Sequence, residues 1–364
     1  MKITRHLTGT MLTVLLSHAV LGEGPAPTPI VLPAFPQPPP VTKLAATTTG
    51  VIYFASRTPY DFDILLQQYA AAPETTATGQ LFLPPKASAN HRVPGVVLVH
   101  GSGGITPGRE LEYGKLLASN GYAALAIDYY RPRGVTETTP YALKVLAVTE
   151  FDAVTDAYAA LRALNGHPAI DPKRVALVGF SYGGMATRLA MDSRVRQVLA
   201  PDVAPFVAHV DYYGPCHQDF HTQRTTGAAL LSLRGGDDAS NDLVSCAARE
   251  VELRRAGSAV GSVIYARAGH AWEARMPRTL HAELPYLAGC TISYDESGIP
   301  SVDGKLLLPA SADPRRERRA QFRADSGAAL RSCVHTGYIV GRDDAVKAQS
   351  DAQLLAFLRS TLAR

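Results

Sequence analysis

The run Gly179-Phe180-Ser181-Tyr182-Gly183-Gly184 sets one hydroxyl among glycines, directly after the apolar stretch Val175-Ala176-Leu177-Val178 and before a helix-compatible segment. A serine on a sharp strand-to-helix turn projects its hydroxyl, and the flanking positions must then lack side chains that would strike the strand or helix. The following helix adds partial positive charge where negative charge would develop. A hydroxyl is a weak nucleophile without a base. In sites of this layout the chain order is nucleophile, acid, base, so the base belongs in the loop after the last core strand. Gly269-His270-Ala271-Trp272 follows the apolar run 262–266 and meets that condition. His100 precedes the nucleophile, His209 lies within a strand, and His281 and His335 fall away from a strand end.

The acid belongs after the preceding strand, where Gly235-Gly236-Asp237-Asp238 offers two adjacent carboxylates. A Gly-x-x-Asp spacing from Gly235 selects Asp238, with Asp237 the second candidate. Its task is to hold one imidazole tautomer and to stabilise the imidazolium. His100-Gly101-Ser102-Gly103-Gly104 follows another apolar run and supplies backbone N–H groups able to approach a substrate oxygen. The Tyr182 N–H, paired with that of Ser102 or Gly103, would form an oxyanion hole, each donor being worth about 3–4 kcal/mol in the transition state.

These residues need a scaffold. Apolar runs at 79–83, 93–100, 122–128, 175–179, 207–213, 229–234 and 262–266 read as strands. Helical patterns fall at 110–119, 141–164, 185–199, 246–256 and 343–362. Alternation of this kind predicts an α/β fold, with a mostly parallel central sheet flanked by helices on both faces. The stretch between Cys290 and Cys333 has no clear period and reads as an irregular excursion.

The chain has 364 residues, of which 46% are hydrophobic, enough for one substantial core. Its formal net charge is +4, and the densest basic run, Arg315-Arg316-Glu317-Arg318-Arg319, has no interleaved aromatics, which argues against a nucleic-acid partner. Lys2 and Arg5 precede the apolar runs 11–16 and 19–21, with Val20 and Gly22 at small-residue exit positions. This predicts a signal peptide over 1–22, a proline-rich linker over 23–44, a domain over 45–364, and a periplasmic or secreted location; an uncleaved anchor is the alternative. The apolar run is shorter than the roughly 20 residues of a membrane span, so no stable membrane insertion is expected after its removal. Four cysteines in an exported chain predict disulfides. Of three pairings, Cys216–Cys246 joins the ends of successive strands and Cys290–Cys333 brackets the excursion. Cys216-His217-x-x-x-His221 carries ligand types at close spacing, but no further cluster supports it, so neither metal nor cofactor is expected. Arg131 and Arg133 could meet a substrate carboxylate or simply face solvent. Tyr182, Tyr213 and Trp272 are candidate pocket walls by position.

The segments Val96-Val97-Leu98-Val99-His100-Gly101, 126–134, 178–184 and Tyr265-Ala266-Arg267-Ala268-Gly269-His270-Ala271-Trp272 together resemble the dienelactone hydrolase family of the α/β-hydrolase superfamily. The likeness runs from about Thr78 to Trp272, and is to the family's exported, serine-bearing branch; founding members carry a cysteine where Ser181 stands. It implies an α/β-hydrolase fold, a triad of Ser181, Asp238 and His270, and Ser102 as the upstream oxyanion donor. It also implies hydrolysis of a small-molecule ester or lactone through an acyl-enzyme. The alternatives are a peptidase or acyltransferase on the same triad, and a non-catalytic binding protein on the same fold. The oligomeric state is not set by the sequence.

Overall fold

A computed structural model describes residues 30–34, 38–41, 43–308 and 315–363. The expected export segment, 1–22, lies outside the described residues, as do residues 23–29, 35–37 and 42 of the expected linker.

The central sheet contains β1 (Gly50–Arg57), β2 (Glu74–Phe82), β3 (Val93–Val99), β4 (Ala123–Asp128), β5 (Ile170–Phe180) and β6 (Ala208–Tyr212). After β7 (Gln218–Asp219), which leaves for a second sheet, β8 (Ala229–Gly235) and β9 (Val260–Tyr265) complete it. The strand order is β1-β2-β4-β3-β5-β6-β8-β9. β1, β2 and β4 pair antiparallel, and every pairing from β4 through β3 to β9 is parallel. The inner strands are near-continuous runs of Val, Leu and Ala because both faces are covered. Successive side chains take opposite faces. Val97, Leu125 and Leu177 pack on one, against Tyr158 and Leu161; Val96, Ala124 and Ala176 pack on the other, against Tyr113, Leu354 and Leu358.

The helices of the first face are α1 (Phe62–Gln67), a later pair described next, and α6 (Ser193–Leu199); α2 (Glu110–Ser119) lies on the second. The single helix expected over 141–164 is two, α3 (Tyr141–Ala147) and α4 (Glu150–Asn165). Val148 is extended between them, and Thr149 caps α4, its side chain accepting from the Asp152 N–H while the Asp152 carboxylate takes the Thr149 N–H. That reciprocal cap sets the start of α4 more strongly than the apolar pattern running through it. The helix expected over 185–199 also divides, into α5 (Tyr182–Leu189) and α6, the latter capped by Asp192. α7 (Leu243–Arg255) precedes β9.

The segment after β9 is folded. β10 (Thr279–Leu287) pairs antiparallel with the later strand of residues 334–340. β11 (Ile292–Tyr294), β12 (Pro300–Val302) and β13 (Lys305–Leu306) join β7 in a four-stranded sheet. α8 (Arg316–Asp325), β14 (Val334–Val340) and α9 (Asp344–Leu362) follow. Strands of two or three residues carry no readable period, and α8 docks through ion pairs, Arg319 to Asp63 at 2.8 Å and Arg323 to Glu150 at 3.1 Å. Two residues of the proline-rich stretch, Leu32 and Leu44, are buried against the core, so this part is laid on the domain and is not a free spacer.

Disulfides join Cys216 to Cys246 and Cys290 to Cys333, with Cα separations of 5.0 and 5.5 Å. Cross-links of this kind persist in oxidising compartments, which fits a secreted protein. No helix among the described residues is long and apolar enough to cross a membrane.

His209 sits fully buried in β6, and neither ring nitrogen has a hydrogen-bond partner among the described residues. Burial pushes its pKa down to about 3. As pH falls below about 6.5 the unfolded chain takes up a proton that the folded chain refuses, so stability is lost from there down to the folded value. The slope from this residue is about 1.4 kcal/mol per pH unit. Thermal unfolding followed between pH 7 and pH 4.5 is therefore expected to show a steeper loss of Tm in the wild type than in His209→Leu. Equal slopes would contradict the assignment.

Candidate active site

The parallel strands end at one edge of the sheet, the side where open α/β sheets bind ligands. The loops after β3, β5, β6, β8 and β9 meet there. β5 ends at Phe180, and Ser181 takes φ 54° and ψ −115° before α5 begins. That left-handed geometry is held by the Ser181 N–H donating to the Tyr212 carbonyl at 2.8 Å and by the Gly184 N–H donating to the Ser181 carbonyl at 2.8 Å. The glycines are steric necessities. A Cβ at Gly179 would lie 2.0 Å from the Gly183 carbonyl oxygen, and one at Gly183 would lie 2.3 Å from that of Val99.

The loop after β9 brings His270 to this turn. Its Nε2 lies 2.8 Å from Ser181 Oγ, and its Nδ1 lies 2.6 Å from Asp238 Oδ2. With the ring proton on Nδ1 facing the carboxylate, the Nε2 lone pair faces the serine hydroxyl. The His270 backbone is pinned from outside the sheet, its N–H donating to the Ile339 carbonyl at 2.7 Å and its carbonyl accepting from Gly341 at 3.0 Å. Tyr213 and Tyr338 flank the ring, with centroids at 4.5 and 5.4 Å.

Asp238 is buried, and its carboxylate is saturated with donors. Oδ1 accepts from the Ser240 N–H at 3.0 Å and the Ser240 hydroxyl at 2.6 Å, and Oδ2 accepts from Asn241 Nδ2 at 3.0 Å. Asn241 is held in turn by Arg234, whose other nitrogen pairs with Asp211. Asp237 points elsewhere. Its side chain is 39% exposed and pairs with Arg278 at 2.7 Å.

The loop after β3 lies against the serine, a Cβ at Gly101 falling 3.1 Å from Ser181 Cβ. It is braced by the Tyr129 hydroxyl on the His100 carbonyl and the Tyr130 hydroxyl on the Ser102 carbonyl, both at 3.0 Å. Ser102 Oγ lies 3.2 Å from the Tyr141 hydroxyl. The Tyr182 N–H is the first of α5, one of the amides a helix leaves without an internal partner. Its side chain is anchored, the hydroxyl donating to the Glu150 carboxylate, which also accepts from Gln218 Nε2 at 2.5 Å and pairs with Arg323 at 3.1 Å. Despite its burial, Glu150 is held below the usual carboxylate range by Arg323 and these donors.

Three positions read as possible contacts with substrate belong to the interior. Arg133 is buried and forks onto Asp156 at 2.7 and 3.0 Å. Trp272 is fully buried and donates to Ser350 Oγ at 3.0 Å, and Tyr213 is buried with its hydroxyl on Glu273. Arg131 remains at the surface, beside Asp128. The sequence reading missed Ser240, Asn241, Glu150, Gln218 and Arg323. The pair Ser240-Asn241 carried a local signal, small polar donors shortly after Asp238; the other three come from distant segments and carried none.

Two depressions lie near the site, the first against the loop after β3. One, of about 670 Å³, is lined by Gly103, Gly104, Asp128, Arg131, Thr136 and their neighbours. The other, of about 410 Å³, is lined largely by apolar side chains of α3 and the 285–330 segment.

The model of the dienelactone hydrolase family matches residues 78–298. No curated protein matches the sequence. Among solved structures, the chain is similar to a dienelactone hydrolase-like promiscuous phosphotriesterase from metagenomic libraries, at 21% identity and a TM-score of 0.46, over 77% of this chain and 99% of that one. It is also similar to a propionate-bound thermophilic esterase of Thermogutta terrifontis, at 17% identity and a TM-score of 0.43, over 54% of this chain and 80% of that one. With more than half of its length matched by the family model, the chain belongs to the dienelactone hydrolase family and is a carboxylic ester hydrolase of α/β-hydrolase fold.

Proposed function

We propose that this hydrolase cleaves small-molecule carboxylic esters or lactones through an acyl-enzyme on Ser181, with His270 as base and Asp238 as its orienting acid. The observation that carries this reading is the unbroken path from Ser181 Oγ to His270 Nε2 at 2.8 Å and from His270 Nδ1 to Asp238 at 2.6 Å. His270 takes the hydroxyl proton as Ser181 Oγ bonds to the ester carbonyl carbon. The carbonyl oxygen gains negative charge against the N–H groups of Tyr182 and Ser102, at the positive end of α5. The C–O bond to the alcohol then breaks, and His270 returns the proton to the leaving oxygen. Water repeats the sequence on the acyl-enzyme, releasing the acid and restoring Ser181.

Pre-steady-state hydrolysis of 4-nitrophenyl acetate tests the reading. A burst of nitrophenol equal to the enzyme concentration, with Ser181 found acetylated by mass spectrometry after acid quenching, is the expected result. A linear onset with no acetylated serine would count against a covalent route. A panel of peptide amides run beside the esters separates the esterase from a peptidase on the same residues.

A further inference from the structure

The mechanism above leaves the cavity of about 410 Å³ unused. Phe62, Val145, Leu287, Ile292, Tyr294 and Leu330 form much of its wall, so a carbon-rich group fits it. Two links tie it to the reacting centre. Tyr141 lines it and carries the hydroxyl next to Ser102 Oγ. Arg323 lines it and holds Glu150, the anchor of the Tyr182 side chain. Both links run, through the side chains of Tyr141 and Arg323, to the residues of the proposed oxyanion hole, and neither runs to His270; Ser181, Ser102, Tyr182, His270 and Asp238 do not themselves line the cavity. The leaving oxygen of an ester must face His270, which protonates it. An arm lying past the oxyanion donors is therefore the acyl arm.

The polar groups in the wall narrow its chemistry. Gln218 is only 5% exposed. Its Nε2 donates to Glu150 and to the Tyr294 hydroxyl at 3.0 Å, which fixes the amide's orientation, and its Oε1 is buried with no partner among the described residues. A buried acceptor of this kind favours a ligand that brings a donor. His217, also in the wall, has an unpartnered Nδ1, and burial pushes its pKa down to about 4, so the ring is neutral at pH 7. The two wall arginines are matched, Arg323 by Glu150 and Arg319 by Asp63 and Asp61. They leave no net attraction for an anionic arm.

We infer that this cavity takes the acyl arm of the substrate, and that this arm is an uncharged aromatic or cycloaliphatic group bearing a hydroxyl that donates to Gln218 Oε1. The inference rests on the acyl-enzyme reading. Leu307, Leu308, Arg319, Arg323 and Leu330 of the wall come from beyond residue 298, outside the stretch matched by the family model, whereas Gln218 and most of the apolar wall lie within it.

Three 4-nitrophenyl esters with one leaving group test it: the acetate, the 3-phenylpropanoate and the 3-(4-hydroxyphenyl)propanoate. In the wild type kcat/KM is expected to rise along that series, the hydroxyl adding about tenfold over the plain phenyl arm. Val145→Trp, which fills the cavity, is expected to lower the ratio of aryl to acetyl kcat/KM by about tenfold or more. Hydrolysis of the acetate with no preference for either aryl arm would overturn the inference and leave the acyl-enzyme reading standing. An unchanged ratio in a folded Val145→Trp would do the same. Inactivity of the wild type toward all three esters would overturn both. The wild-type comparison needs no variant, so it stands even where Val145→Trp does not fold.

Discussion

Ser181→Ala is expected to lower ester turnover by about a million-fold and to abolish covalent labelling by a fluorophosphonate. The residual rate over water would come from the oxyanion donors and from binding, which the substitution leaves in place. The backbone at this position needs positive φ, and alanine already adopts it elsewhere in the chain, Ala271 having φ 51°. The hydroxyl's neighbour His270 is fixed independently by Asp238 and by the backbone of Ile339 and Gly341. The variant should therefore fold with a Tm close to the wild type, and loss of activity would report chemistry alone. Full labelling of the folded variant, or retention of more than about one per cent of turnover, would move the nucleophile elsewhere.

How much of this was legible in the sequence depends on whether each feature is local. The inner strands were readable because burial on both faces leaves uninterrupted apolar runs such as Val96-Val97-Leu98-Val99. The serine turn was readable because three steric demands fall within six residues. Asp238, the carboxylate that lies beside His270, was singled out by one spacing, from Gly235. The break at Val148 was marked by Thr149 and Asp152, a local capping pair, but apolar residues continue on both sides and mask it. The support around Tyr182 had no local mark at all: Glu150, Gln218 and Arg323 come from three distant segments and meet only in the fold. Arg133 read as a substrate contact or a surface residue because burial of a charge depends on partners, here Asp156, that no short pattern reveals. α8 escaped for a related reason, since its inward face is carried by Arg319 and Ala320 rather than by an apolar stripe.

Asp238→Asn is expected to reduce ester turnover by up to about 10⁴-fold, while Asp237→Asn changes it by less than about threefold. The hydrogen bonds around Asp238 explain the size of the first effect. Ser240 sends two donors to Oδ1, so an asparagine at 238 would turn its carbonyl oxygen to Ser240 and its NH₂ to the other side. That NH₂ would meet Asn241 Nδ2, itself a donor, and His270 Nδ1. The imidazole could remain bonded to residue 238 only by accepting at Nδ1, which moves its proton to Nε2; the Ser240 hydroxyl, 3.2 Å from Nδ1, is the longer alternative partner. A protonated Nε2 faces Ser181 Oγ and cannot take the hydroxyl proton. The base is lost although the three side chains stay in place. Asp237 has no such linkage. Its exposed pair with Arg278 is worth at most about 1 kcal/mol of stability and touches neither His270 nor Ser181. Steady-state kinetics of the two purified variants on 4-nitrophenyl acetate decide the matter. The reverse ranking, or a loss under tenfold in a folded Asp238→Asn, would remove Asp238 from the role of triad acid.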